Sequence, residues 1–285
     1  MIRWQHTSIG IGTRFLLCLA LSIATGCAKA PELDHPGFDH PSIAVLLLDE
    51  TGALASSRNG ALATGHAFLA GDFLRVPTTI VGLERGELNP AGSFVCRDAG
   101  PGAVDGATDE SADPLTFRDA FHAPCRSVFR EIQRKIPWAD FEPKLRALGL
   151  GAVSGFGDTG EDPGFVPEKL AGEGSWDIWS NRLITASPAQ MARALHSTFA
   201  GESMTPATRD AWNALTRGNY ELHAVSGRFD EELLGYRWIA VRGERNGTGE
   251  TWLLFVFALT PSDQEPKPDL ERYAAEWFGA SPPIW

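Results

Sequence analysis

Residues 68–88, FLAGDFLRVPTTIVGLERGEL, set a carboxylate and a guanidinium three positions apart, Asp72 and Arg75. On a helix over 71–86, stopped by Gly86, they share a face and form a local ion pair worth roughly a few tenths of a kcal/mol. A sharper reading makes Asp72 or Ser127 a nucleophile, yet no general base stands near either in sequence. Arg75 cannot be that base, because a guanidinium keeps its proton. His66, His122, His196 and His223 lack a spacing such as His-x-x-x-His, so they read as structural or surface residues, and no metal is expected. The Gly155-Phe156-Gly157-Asp158 run has neither the lysine nor the following helix of a phosphate loop. No cofactor is expected.

The start of the chain bears on where any such chemistry takes place. Arg3 and Arg14, an apolar core from Phe15 to Ile23 and small residues before Cys27 have the layout of a secretory signal. Ala24-Thr25-Gly26-Cys27 resembles a bacterial lipoprotein box, which implies cleavage after residue 26, a lipid on Cys27 and membrane attachment through it. Ala28 in place of Asp favours the outer membrane, with the body facing the periplasm. Loss of 1–26 removes two positive charges and no acid, taking the net charge from −11 to −13, so nucleic acid is a poor partner. Residues 27–40, rich in Pro, Asp and His, read as the lipidated terminus and tether, and 41–285 as the folded domain. Cys18 leaves with the signal, which leaves Cys96 and Cys125 to form a disulfide in an oxidising compartment. The rival, a reactive thiol at Cys125, needs that pair reduced.

The elements that position these residues follow from periodicity. Ser42–Asp49 is a buried-strand run, and the turn Asp49-Glu50-Thr51-Gly52 leads to a second strand over 53–57. After the helix at 71–86, residues 97–114 are Gly/Asp/Ala-rich loop. Helical patterning covers 115–136, with Phe117, Phe121, Val128, Phe129, Ile132 and Ile136 at spacings of three and four, and a further helix covers 139–148. A Gly-rich loop spans 149–174. Ser187 as N-cap and Pro188 at the first position open a helix to about Phe199. Three strands at 221–226, 236–242 and 251–259, the last two joined through Asn246-Gly247, precede a helix at 269–278. Trp176, Trp179, Trp212, Trp238 and Trp252 suit a core and pocket rim, and Trp277 and Trp285 a packed terminus. The order predicts an α+β fold, an antiparallel sheet flanked by helices with a helical subdomain.

Several phrases resemble, in order, those of the penicillin-recognising serine transpeptidases and β-lactamases, above all the class D β-lactamases. Gly71-Asp72-Phe73-Leu74-Arg75-Val76-Pro77 is similar to that family's Ala-Ser-Thr-Phe-Lys-Ile-Pro, the start of its Ser-x-x-Lys helix. Leu115–Phe121 and Pro124-Cys125-Arg126-Ser127-Val128-Phe129 are similar to a Leu-Arg-x-Ala-Phe helix and the Ser-Cys-Asn-Pro-Val-Phe phrase after it. Leu183–Gln190 resembles Leu-x-Ile-Ser-Pro-x-Gln. Val225-Ser226-Gly227 occupies the Lys-Thr/Ser-Gly strand, and Gly235-Tyr236-Arg237-Trp238 the Gly-Trp strand.

The resemblance implies a β-lactamase/transpeptidase-like fold over about 41–278, and it also implies what is missing. In that family a serine attacks, a neighbouring lysine takes its proton, and backbone N–H groups hold the oxyanion. Here the matching positions are Asp72 and Arg75. The five lysines, Lys29, Lys135, Lys144, Lys169 and Lys267, follow Gly26, Ile132, Phe141, Val166 and Gln264 by three, so no register restores Ser-x-x-Lys. The second motif becomes Pro124-Cys125-Arg126, and the third loses its lysine to Val225 while keeping Ser226 and Gly227. The expectation is a non-catalytic lipoprotein that binds an envelope protein or a peptidoglycan-derived ligand. Two rivals are a hydrolase or acyltransferase with a relocated nucleophile, and a structural lipoprotein whose old cleft is filled.

Overall fold

Six consecutive apolar residues, Ile43–Leu48, form the first strand, β1, and all six are buried, which requires cover on both sheet faces. The computed structural model describes residues 30–97, 113–123, 125–150, 184–202, 204–229, 234–245, 249–261 and 268–284. Expectations for Cys27, Pro124, Trp176, Trp179, Trp285, the Asn246-Gly247 turn and most of the two Gly-rich loops lie outside these residues.

In chain order, β1 is followed by β2 (Leu54–Arg58), α1 (Gly60–Gly65), β3 (Phe68–Leu69), a 3-10 turn over Gly71–Leu74 and α2 (Arg75–Arg85). Next come β4 (Ser93–Phe94), β5 (Leu115–Thr116), α3 (Phe117–His122), α4 (Arg126–Arg134), α5 (Trp138–Ala147), β6 (Thr185–Ala186), α6 (Pro188–Ala200) and α7 (Pro206–Thr216). The chain closes with β7 (His223–Phe229), β8 (Leu234–Glu244), β9 (Thr251–Pro261) and α8 (Leu270–Phe278). The main sheet has the order β2-β1-β9-β8-β7, and every neighbouring pair is antiparallel. Strand alternation sends Trp238, Ala240, Phe255 and Phe257 to one face, where they join Phe73, Ile80, Phe121, Phe129, Leu195 and Trp212 in the main core. On the other face α8 packs against β8 and β9, burying Ala274, Trp277 and Phe278. The α+β expectation holds. Among the described residues no helix is long and apolar enough to cross a membrane.

Three local expectations are revised. The patterned stretch 115–136 is not one helix. Thr116 caps α3 by accepting from Asp119 N, and Ala123 then takes φ −81° and ψ 159°, the extended conformation that a following proline imposes. A second helix, α4, starts only after Cys125. Helix α7 was not anticipated, although Thr205 as N-cap and Pro206 at the first position repeat the signal read at Ser187-Pro188. The packed body also begins earlier than residue 41, at Leu33. Leu33 and Phe38 are buried, and the His35 ring lies between Phe38 and Tyr273, at 5.1 and 4.9 Å. Two large apolar side chains and a proline-initiated turn over 36–39 are enough to dock what composition alone assigns to a tether.

Candidate functional site

Gly71 brings the start of α2 against the edge strand β7. Its φ is +50°, and a Cβ there would come within 2.7 Å of the Phe229 ring, so a residue without a side chain allows the close approach. The following turn buries Asp72, and the first turn of α2 buries Arg75; they are 3% and 4% exposed.

Their expected mutual ion pair does not form. Asp72 Oδ1 accepts from Arg126 Nε at 2.7 Å, and Arg75 Nη1 donates to Phe121 O at 2.7 Å and Ala123 O at 3.4 Å. Both residues therefore bind the segment around the α3–α4 break: Arg75 takes the carbonyls of Phe121, in the last turn of α3, and of Ala123, in the extended link after it, and Asp72 takes the first residue of α4. The reason lies in burial: two ionic groups taken out of water need hydrogen-bonding partners, and the break supplies a cation for Asp72 and carbonyls for Arg75 Nη1, while Arg75 Nε is buried without a partner among the described residues. Burial lowers the Arg75 pKa to about 10, with the nearby Asp72 charge acting against the shift. Even so, the group is a cation at neutral pH and cannot serve as a base. Its guanidinium lies over Phe121 and Trp238, 5.2 and 6.0 Å from the ring centroids.

Arg126 is held in place by its neighbour. Cys125, 2% exposed, is disulfide-bonded to Cys96 with the Cα atoms 5.5 Å apart, which realises the expected pairing and removes the thiol alternative. Ser127 Oγ accepts from Arg97 N at 3.0 Å on the same side, tying 96–97 to the start of α4.

On β7, Val225 points into the apolar core, and Ser226 and Gly227 pair with Ile239 and Trp238. A Cβ on Gly227 would meet the Trp238 ring at 2.6 Å, so the glycine makes room for the indole beneath the strand. Tyr236 Oη donates to Leu69 O, and burial, aided by Asp72, raises its pKa well above the ordinary value, so it stays a phenol.

Some of these residues border a cavity of about 440 Å³. Asp72, Arg75, His122, Ser226, Gly227 and Trp238 line part of it, and Arg228, Arg237 and the first turn of α8 the rest. The structure thus brings together Asp72, Arg75, Ser226 and Gly227 from the sequence reading. It places Arg126 behind Asp72 and Val225 in the core, while Pro124 is outside the described residues. Sequence reasoning missed His122, Arg228 and Arg237. The β7–β8 register, which sets Arg228 opposite Arg237, is the signal that finds the last two. His122 Nε2 lies 3.1 Å from Leu215 O, and burial, opposed by that carbonyl and reinforced by Arg75 and Arg118, lowers its pKa to about 4. It is a neutral imidazole at neutral pH. Among the described residues no three His, Cys, Asp or Glu side chains are placed to hold a metal.

The fold is similar to the class D β-lactamase YbXI from Nostoc, with TM-score 0.64, 15% identity and coverage of 87% of this chain and 99% of that one. It is also similar to FUS-1 (OXA-85), a class D β-lactamase from Fusobacterium nucleatum subsp. polymorphum, with TM-score 0.59, 15% identity and coverage of 83% and 91%. At such identity the likeness concerns the fold. Comparison with curated proteins finds no match. The model of the penicillin-binding protein transpeptidase domain matches residues 73–228, more than half of the sequence, and the chain belongs to that family.

Proposed function

We propose that this chain is a non-catalytic member of its family, a lipid-anchored protein of the bacterial envelope that binds a ligand in the cavity beside Asp72 instead of acylating on it. The carrying observation is the commitment of the two residues at the start of α2. A serine-type acyl transfer needs a hydroxyl there and a neighbouring base. Asp72 offers a buried carboxylate bound by Arg126, and Arg75 offers a buried cation bound to two carbonyls. Ser226 remains beside the cavity, but Val225, where the resembling phrase has lysine, is apolar and enclosed.

A cavity of about 440 Å³, within the usual range for small-molecule sites, supports binding over a filled-in cleft. The leader and Cys27 support attachment at the envelope, which makes an envelope protein or a peptidoglycan-derived fragment the available partner. Incubation with a fluorescent penicillin, followed by denaturing electrophoresis, is expected to leave the protein unlabelled. Stoichiometric covalent labelling overturns the reading. For the anchor, Cys27→Ala is expected to abolish incorporation of radiolabelled palmitate and release the protein from membranes; continued incorporation refutes lipidation at that cysteine.

A further inference from the structure

We propose that the loop joining α7 to β7, together with Arg242 beside it, is a docking surface for a short acidic segment of a protein partner. None of its residues lines the cavity, so the surface is independent of what the cavity holds. Backbone register builds it. Arg217 and His223 form an antiparallel bridge that closes the loop, and His223 stands directly opposite Arg242 on β8. Directly opposed residues project to the same side with Cβ atoms about 4.5–5.5 Å apart, so Arg217, His223 and Arg242 form a row across three adjacent backbone segments. Burial, with the Arg242 and Arg217 charges behind it, lowers the His223 pKa, which fits that proximity and leaves the ring neutral at neutral pH. The charge of the row is therefore that of its guanidinium groups.

Those groups have no carboxylate partner among the described residues. Arg217 is exposed, and its side chain forms neither a hydrogen bond nor an ion pair there. Arg242 Nη1 donates to Phe199 O at 3.4 Å, which engages one of the five N–H groups of the fork. Arg118 brings a further cation to the same end of α7, where it donates to Ala214 O and Arg217 O. Of the acids nearest in sequence, Glu244 accepts from Gly249 N at 2.6 Å, and Glu221 forms no ion pair among the described residues. The loop is also presented to solvent. Tyr220 at its tip is 60% exposed, and Tyr220 and Glu221 both adopt left-handed backbone, with φ 59° and 58°. Such conformations persist in non-glycine residues only where the surroundings impose them. Here Gly218 N donates to Leu222 O at 2.7 Å, and Asn219 N and Nδ2 donate to Ile284 O and Pro283 O. A loop fixed in this way loses little freedom on binding, and its tyrosine offers a rigid amphipathic anchor.

Charge complementarity selects the partner. A row about 10 Å wide, two strand spacings, suits one or two neighbouring carboxylates paired with guanidinium forks, with an apolar side chain laid against Tyr220. The chain as a whole carries −11, so an anionic bilayer or a long polyanion that meets the wider surface is repelled. A short acidic segment touches the row alone.

The test is fluorescence anisotropy of a labelled Glu-Asp-Leu-Glu-Asp peptide titrated with the purified full chain, against the isosteric Gln-Asn-Leu-Gln-Asn peptide at equal ionic strength. Saturable binding of the acidic peptide alone is expected, weakened at least about tenfold by Arg217→Glu and several-fold by Tyr220→Ala. Arg134→Glu makes the same charge change at an exposed position of α4 outside the row and should leave the affinity unaltered. Near-ultraviolet circular dichroism checks that each variant keeps the native fold, and if Arg217→Glu does not fold, Arg217→Gln decides. Absence of saturable binding, equal binding of the amide peptide, an equal loss in Arg134→Glu, or unchanged affinity in the folded Arg217 variant overturns the proposal. Co-sedimentation with phosphatidylglycerol vesicles that is lost in the same Arg217 variant assigns the surface to lipid and overturns it as well.

Discussion

Arg126 Nε meets Asp72 Oδ1 at 2.7 Å across 54 positions of sequence, with the arginine side chain 38% exposed and the aspartate 4%. The pair is asymmetric: the carboxylate is desolvated and the cation stands at the rim. Removing Arg126 strands a buried negative charge, whereas Asp72→Asn strands only an amide. Arg126→Ala is expected to destabilise by about 1–3 kcal/mol, below the range for a fully buried pair because water screens the arginine. Asp72→Asn is expected to cost less, and the double variant less than the sum. Urea unfolding of the four proteins measures the coupling; strict additivity refutes the pair as an energetic unit.

Reduction of Cys96–Cys125 is expected to lower unfolding free energy by about 3.6 kcal/mol, from the loop entropy of a closure spanning 29 positions. The effect should reach beyond stability. Cys125 adjoins Arg126, so a Cys96→Ser/Cys125→Ser protein should also lose part of the Asp72–Arg126 coupling in the same double-variant cycle. Full retention of that coupling would show that α4 positions Arg126 without the crosslink.

His122 makes stability depend on pH with a definite sign. Burial holds its folded pKa at about 4, below the ordinary 6.5, so between those values the unfolded chain binds the additional proton. The contribution is fully present above pH 6.5 and is lost as pH falls to about 4, amounting to about 3 kcal/mol over the window. Unfolding free energies of the wild type and His122→Gln at pH 7 and 4.5 isolate it. The variant should show the shallower decline, and parallel declines would refute the assignment.

Elements whose signals are local were legible in the sequence. The Ser187 cap, reinforced by Gln190 in a reciprocal box, marked α6, and alternation marked β7, β8 and β9. The site was legible as a list of positions but not as a set of contacts. Asp72 and Arg75, three apart, suggest each other, yet their partners Arg126 and Phe121 are 54 and 46 positions away. Periodicity carried the 115–136 helix across Ala123-Pro124-Cys125, although the proline already opposed it; that break supplies the carbonyls that Arg75 needs. The cavity itself depends on strand register and on where α8 starts, which no single segment encodes.

Gly227 tests how tightly that register is packed. A methyl group there would lie 2.6 Å from the Trp238 ring, which is 1% exposed and wedged against Phe73, with ring centroids 5.2 Å apart. The indole cannot swing aside as an exposed side chain would, so Gly227→Ala should cost about 1–3 kcal/mol by overpacking. It should also change the near-ultraviolet circular dichroism, since Trp238 must move. Gly65→Ala is the matched control, because nothing lies within 4 Å of its Cβ position and the substitution should be neutral or slightly stabilising. Equal effects of the two substitutions would mean that Trp238 yields freely, and with it the cavity wall beneath Arg75.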